Sequence, residues 1–189
     1  MSLKFPYAKA TVAQYLNELG SQSSAPGGGS GAALTAATGA ALVEMVVGIN
    51  KQSTEKIKKI RRKLEGLMTE DAQAFQKISK FFKTKKKGVA YQKALENGAH
   101  VPMEICGLCG EAVKLGSLEI GRTSRWLASD LAESGILLEA AFRSARLNVE
   151  INLRFMENQT FVQKARRRLE EIERQMGLST KKLGEVFKI

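Results

Sequence analysis

The stretch SAPGGGSGAALTAATGAALVEMVVGI, residues 24–49, decides how the rest of the chain is read. A proline and three glycines stand directly before a helix-forming run made mostly of Ala, Gly and Ser. Three arrangements suit such a run: an anion cradle, close helix packing, or a membrane span. Residues 31–49 reach the length of a span. They are poor in large apolar side chains, Glu44 sits inside, and the flanks are amphipathic, so a membrane role is not expected. The small residues Ala32, Ala36, Gly39 and Ala40 let another backbone come close, which predicts a tightly packed helix. The amides at a helix start lack internal acceptors and favour an anion. Gly27, Gly28 and Gly29 open the main chain to such a group, and Ser30 adds a hydroxyl. No Gly-Lys-Ser/Thr follows and no strand precedes, which excludes a P-loop and a dinucleotide-binding fingerprint.

Outward from this run the pattern is helical nearly everywhere. Thr11 caps a short first helix with Val12, Tyr15, Leu16 and Leu19 inward. A second helix covers 30–50. Ile57, Ile60, Leu64, Leu67, Asp71, Ala74, Ile78 and Phe81 repeat at spacings of three and four, the seam of a third. Lys83 to Gly88 ends it. A fourth covers Val89 to Gly98, and Pro102 starts a fifth that reaches Ile120. Gly121 to Ser129 breaks the pattern. Helix resumes over Leu131 to Met156 and Thr160 to Met176, and Ser179 to Ile189 reads as a short docking tail. The low aromatic content, 6%, argues against a sandwich or barrel. The expectation is one all-α domain over residues 1–189, packed as a helical bundle with long amphipathic helices.

The net charge of +11 points to an acidic partner. Basic runs at Lys56 to Lys63, Lys83 to Lys87 and Lys164 to Arg168 read as solvated faces, except that Lys83, Lys85, Lys86 and Lys87 sit in a loop and suit an anionic tail. Cys106 and Cys109 fall in an apolar helical pattern and read as small buried hydrophobes; a zinc site would need more ligands. The opening MSLKFPYAKA has no signal-peptide pattern, and a cytoplasmic location is expected.

Several polar residues break the helical pattern. Asp71 occupies a core position of the third helix's seam, where a carboxylate needs either a basic partner or a cavity in which to move protons. Ser129 and Asp130 stand before an apolar run as a cap or a site. Asn148 and Asn152 share one helix face. Eighteen residues of straight helix, about 27 Å, separate Asp130 from Asn148, so the helix breaks, or two sites or two subunits are involved. By the same rise Glu44 lies about 20 Å down its helix, as a second wall or an ion pair. His100 is a proton carrier by type, without a visible partner.

The stretch APGGGSGAALTAATGAALVEMV resembles the opening of the formiminotetrahydrofolate cyclodeaminase and methenyltetrahydrofolate cyclohydrolase family. EDAQAF at 70–75, AHVPMEI at 99–105, SD at 129–130 and LNVEINL at 147–153 are similar to further family elements, in order and spacing. The resemblance implies an all-helical homodimer with a cyclodeaminase-like fold, acting on a tetrahydrofolate derivative without a metal. Such proteins close 5-formimino-tetrahydrofolate to 5,10-methenyl-tetrahydrofolate with loss of ammonia, or hydrolyse the methenyl form to 10-formyl. Carried onto this chain, Asp71 and Asp130 are the catalytic carboxylates, with Asp71 moving protons. Pro26, Gly27, Gly28, Gly29, Ser30, Ser129, Asn148 and Asn152 bind substrate, and Lys83, Lys85, Lys86 and Lys87 attract a polyglutamate tail. The sequence departs at GRTSRWLASD, where the family has an asparagine-containing Gly-Asn-x-Asn stretch, and at Ser144-Ala145 in place of Gly-Ala. Arg125 and Trp126 then offer a cation and a stacking plane, or fill the pocket. The alternatives are a basic helical nucleic-acid-binding module, against which the sparse aromatics count, and a catalytically silent scaffold.

Overall fold

The computed structural model describes residues 6–82 and 88–185. Six α-helices carry the described chain: α1 (Val12–Leu19), α2 (Gly28–Ile49), α3 (Glu55–Ser79), α4 (Val89–Ser117), α5 (Ala128–Leu153) and α6 (Gln159–Glu185). Single 3-10 turns cover Tyr7–Lys9 and Arg125–Leu127, and no strand occurs among the described residues. The all-α bundle is as the sequence predicts.

α1 starts where Thr11 and Gln14 form a reciprocal cap. The Gln14 N–H donates to Thr11 Oγ1, and the Thr11 N–H donates to the Gln14 side-chain oxygen. α2 runs through the middle of the bundle and packs on α3, α4 and α5. Its small residues do what their spacing predicts. A Cβ on Gly39 would lie 2.8 Å from Leu138 Cγ and 3.2 Å from the Ser134 carbonyl oxygen, so only glycine lets α5 come this close. By length and composition α2 could cross a membrane, and half of that window is buried inside the bundle. Glu44, its one charged residue, accepts from Arg61 Nε at 2.6 Å, and Arg61 also pairs with Glu65. Glu44 is thus an ion-pair partner between α2 and α3.

Two helices, α4 and α6, extend further than the sequence reading, and α5 decides between its alternatives. α4 is one helix through Pro102, not two helices meeting there. The missing proline N–H would have served the Gly98 carbonyl, and Asn152 of α5 donates to that carbonyl instead. α5 is unbroken from Ala128 to Leu153, so a break between Asp130 and Asn148 is excluded. α6 absorbs most of the tail: Leu183 is buried, and its Cδ1 lies 3.0 Å from where a Cβ on Gly135 would stand. Residues 179–185 of the tail continue α6 rather than forming a separate segment, and the rest of the tail lies outside the described residues.

The seam of α3 buries Ile57, Ile60, Leu64, Leu67 and Ile78. Cys106 and Cys109 are free thiols with no exposure, and burial pushes the Cys106 thiol up to about 12. They are inert core residues. Lys63 pairs with Glu70 and Glu104, and Arg166 pairs with Glu150, so parts of the basic runs are ion-paired faces. Lys83, Lys85, Lys86 and Lys87 lie outside the described residues.

Candidate functional site

A cavity of about 470 Å³ opens where the start of α2, the second half of α3, the first half of α4 and the end of α5 converge. Its polar side is built by Ser24, the glycines 27–29, Asp71, Asn148 and Asn152. The rest of the lining is apolar and includes the aromatic rings of Phe75, Phe81, Phe82, Tyr91 and Phe155. Phe75 and Phe82 meet edge to face at 6.1 Å, and Phe81 and Tyr91 tilt together at 5.6 Å. Among the described lining residues Asp71 is the single carboxylate, and none is a cation.

Asp71 reaches the start of α2 because position 29 has no side chain. A Cβ there would lie 2.1 Å from Asp71 Oδ1. The Ser30 backbone N–H donates to the carboxylate. One free amide of α2 is therefore served by the protein's own acid, which requires glycine at position 29. Burial pushes Asp71 from the usual 3.8 to about 6, and the Ser30 N–H holds that rise back. Near neutral pH the group is poised to give or take a proton.

The Ser30 side chain faces away from the cavity. It is fully buried and shares a 3.0 Å hydrogen bond with the Tyr15 hydroxyl. Burial raises the Tyr15 phenol, and the charge of Asp71 adds to the rise. Tyr15 in turn packs edge-on to Tyr7 at 5.6 Å, and the Tyr7 N–H donates to Thr69 Oγ1 of α3. α1 and the turn before it thus fasten the start of α2 to α3. The Ala25–Pro26 bond is cis, and Pro26 is buried behind the loop rather than lining the cavity.

Asn148 and Asn152 share the cavity-facing side of α5, as their spacing predicts. The Asn148 amide lies beside Gly28, with Nδ2 3.8 Å from where a Cβ would stand, and donates to the Ser144 carbonyl at 2.9 Å. Ser129 and Asp130 sit at the far end of the same straight helix and do not line the cavity. Trp126 lies at that end too, 91% exposed, so it neither fills the pocket nor stacks in it within one protomer. His100 stands on the outer side of α4, edge-on to Phe161 at 5.5 Å. No three His, Cys, Asp or Glu side chains cluster among the described residues in a way that could hold a metal ion.

The aromatic wall is what sequence reasoning missed. Its members come from α3, the turn after it, α4 and the turn after α5, so no single periodicity shows them together. Two members carried a signal: Phe75, four residues after Asp71 and so on the same face, and Phe81, at the end of the α3 seam.

The sequence profile of the family described as formiminotransferase-cyclodeaminase matches residues 11–171. A methenyltetrahydrofolate cyclohydrolase of Methylorubrum extorquens is 28% identical, over 94% of this chain and 96% of that protein. A formimidoyltransferase-cyclodeaminase of Dictyostelium discoideum is 30% identical over 96% of this chain. The chain spans only 37% of that longer relative. The crystal structure of a formiminotetrahydrofolate cyclodeaminase from Thermotoga maritima superposes with a TM-score of 0.89, over 95% of this chain and 96% of that one. Its 24% identity carries the fold. The ordered motifs, the helical architecture and the profile match agree: the chain belongs to the formiminotransferase-cyclodeaminase family.

Proposed function

We propose that the cavity binds a one-carbon derivative of tetrahydrofolate and that the chain hydrolyses 5,10-methenyl-tetrahydrofolate to 10-formyl-tetrahydrofolate. One observation carries this: Asp71 is a lone carboxylate in a cavity otherwise without charge among its described residues. The methenyl bridge is an amidinium cation, and a carboxylate in low dielectric attracts it more strongly than water would. The flat pterin suits the polar side, and the aminobenzoyl ring suits the aromatic wall. In this reading the Asp71 carboxylate takes a proton from water as its oxygen bonds to the methenyl carbon. The bond from that carbon to N5 then breaks, N5 is protonated, and the hydroxyl proton is lost to leave the formyl group.

The relative matched along nearly its whole length, whose name gives it cyclohydrolase activity, supports this choice. The second reading is cyclodeamination, in which N10 attacks the formimino carbon, the proton lost by N10 and the proton of Asp71 both pass to the formimino nitrogen, and the bond from the carbon to that nitrogen breaks to release ammonia and leave the methenyl cation. The raised Asp71 favours it, since a carboxyl near 6 keeps some acid form at neutral pH. Absorbance at the methenyl band separates the two: saturable decay supports hydrolysis, and formation from the formimino compound supports cyclodeamination. Absence of both would refute the folate reading.

In this reading a polyglutamate tail runs to Lys83, Lys85, Lys86 and Lys87, which follow the cavity residue Phe82 in sequence. The active form in this reading is a homodimer. The outward side of α2 bears Met45 and Ile49 and no charge but the paired Glu44, and α5 beside it exposes Ile136, Leu147 and Ile151, with Glu133 and Arg143 exposed among them. An apolar face of this extent suits a second copy.

A further inference from the structure

Asn152 donates to a carbonyl that a proline fifty residues away leaves without its helical donor. In a helix each N–H reaches the carbonyl four residues back, and proline has no N–H. Pro102 therefore deprives the Gly98 carbonyl of its usual donor inside the continuous helix α4. Asn152 Nδ2, from α5, donates to that carbonyl at 3.4 Å and to the Asn148 carbonyl at 2.8 Å. A side-chain amide has two hydrogens on nitrogen and one accepting oxygen. Both hydrogens of Asn152 are thus directed to main-chain carbonyls, one on each of two helices. Turning the amide over would set its oxygen against those same two oxygens. Gly98 makes the approach possible, because a Cβ there would lie 3.3 Å from Asn152 Oδ1 and 2.4 Å from Ile78 Cδ1. What remains is Oδ1. Asn152 lines the cavity, and among the described residues none donates to that oxygen.

We infer that Pro102 is a positioning residue: by freeing the Gly98 carbonyl it locks Asn152 as a hydrogen-bond acceptor for an N–H edge of the bound ligand. This rests on the folate reading, in which the amino group and ring N–H groups of the reduced pterin supply the donors. A flat ligand with acceptors only finds no partner at this oxygen. The role is one of binding and orientation, since the reacting proton belongs to Asp71.

The test is a double-mutant cycle in the full chain, read by calorimetric titration with 5-formyl-tetrahydrofolate. Pro102→Ala restores the missing N–H, so the variant should melt no lower than wild type. Its affinity should nonetheless fall about three- to tenfold, the worth of one hydrogen bond. Its KM should rise while kcat stays within about twofold. Asn152→Ala should weaken binding to a similar degree, and the double variant should weaken it no further. Asn152→Asp gives a second measurement that leaves α4 untouched. It keeps accepting oxygens and loses both donors, so it should bind as weakly as Asn152→Ala. Wild-type affinity in Pro102→Ala or in Asn152→Asp, or additive losses in the double variant, would overturn the role while leaving the folate reading intact. A wild-type chain that does not bind 5-formyl-tetrahydrofolate would overturn both.

Discussion

Asp71 keeps its carboxyl in a place that solvation alone would refuse. The cost shows as a rise from 3.8 to about 6, and Gly29 and the Ser30 N–H make the position tenable. The sign of the resulting stability effect follows directly. The folded chain holds this proton more tightly than the unfolded chain, so stability falls as pH rises through the interval from 3.8 to about 6. Asp71→Asn keeps an acceptor for Ser30 and removes the charge. We expect it to be more stable than wild type at pH 8, by up to about 3 kcal/mol in urea unfolding, with the gap gone below about pH 4. Turnover in the same variant should drop at least about a hundredfold, the usual worth of a positioned acid or base. Gly29→Ala is the complementary test. Its methyl group would displace the carboxylate from the Ser30 N–H, so activity should fall and the titration of Asp71, followed by NMR, should move further up. An unchanged titration would show that the glycine is not what admits the acid.

At the scale of elements, periodicity made most of the bundle legible. The Thr11 cap, the α3 seam and the small-residue face of α2 could be read because each depends on neighbours three or four residues apart. Asp71 was legible for the same reason, as a polar residue in an apolar repeat. Pro102 was misread because its compensation comes from Asn152 on another helix, 54 residues after the Gly98 carbonyl that it serves. The Ser30 hydroxyl was hidden likewise: a cap in sequence, it bonds to Tyr15 in space. The contact between α2 and α5 holds these parts in register. Leu138 has no exposure and packs on Gly39. Leu138→Ala should therefore cost about 2–5 kcal/mol in urea unfolding. A loss below about 1 kcal/mol would mean that this contact does not set the bundle's packing.

For the whole molecule, the unbroken α5 keeps Asp130 and Trp126 at one end and the cavity asparagines at the other. A single protomer cannot join them, and two sites or two subunits remain. Sedimentation should show a dimer, and Ile136→Asp with Leu147→Asp should release monomers, both substitutions falling on the outward side of α5. A monomeric wild type would remove the two-subunit answer. The account as a whole depends on the proton that Asp71 carries. Its most direct test is methenyl-tetrahydrofolate decay, followed at the methenyl band from about pH 5 to pH 8 for wild type and Asp71→Asn. The account predicts that kcat/KM of wild type rises through about 6, where the free carboxyl titrates, and that the variant shows no such limb and almost no turnover. Full activity in Asp71→Asn, or a wild-type profile flat across that range, would contradict it.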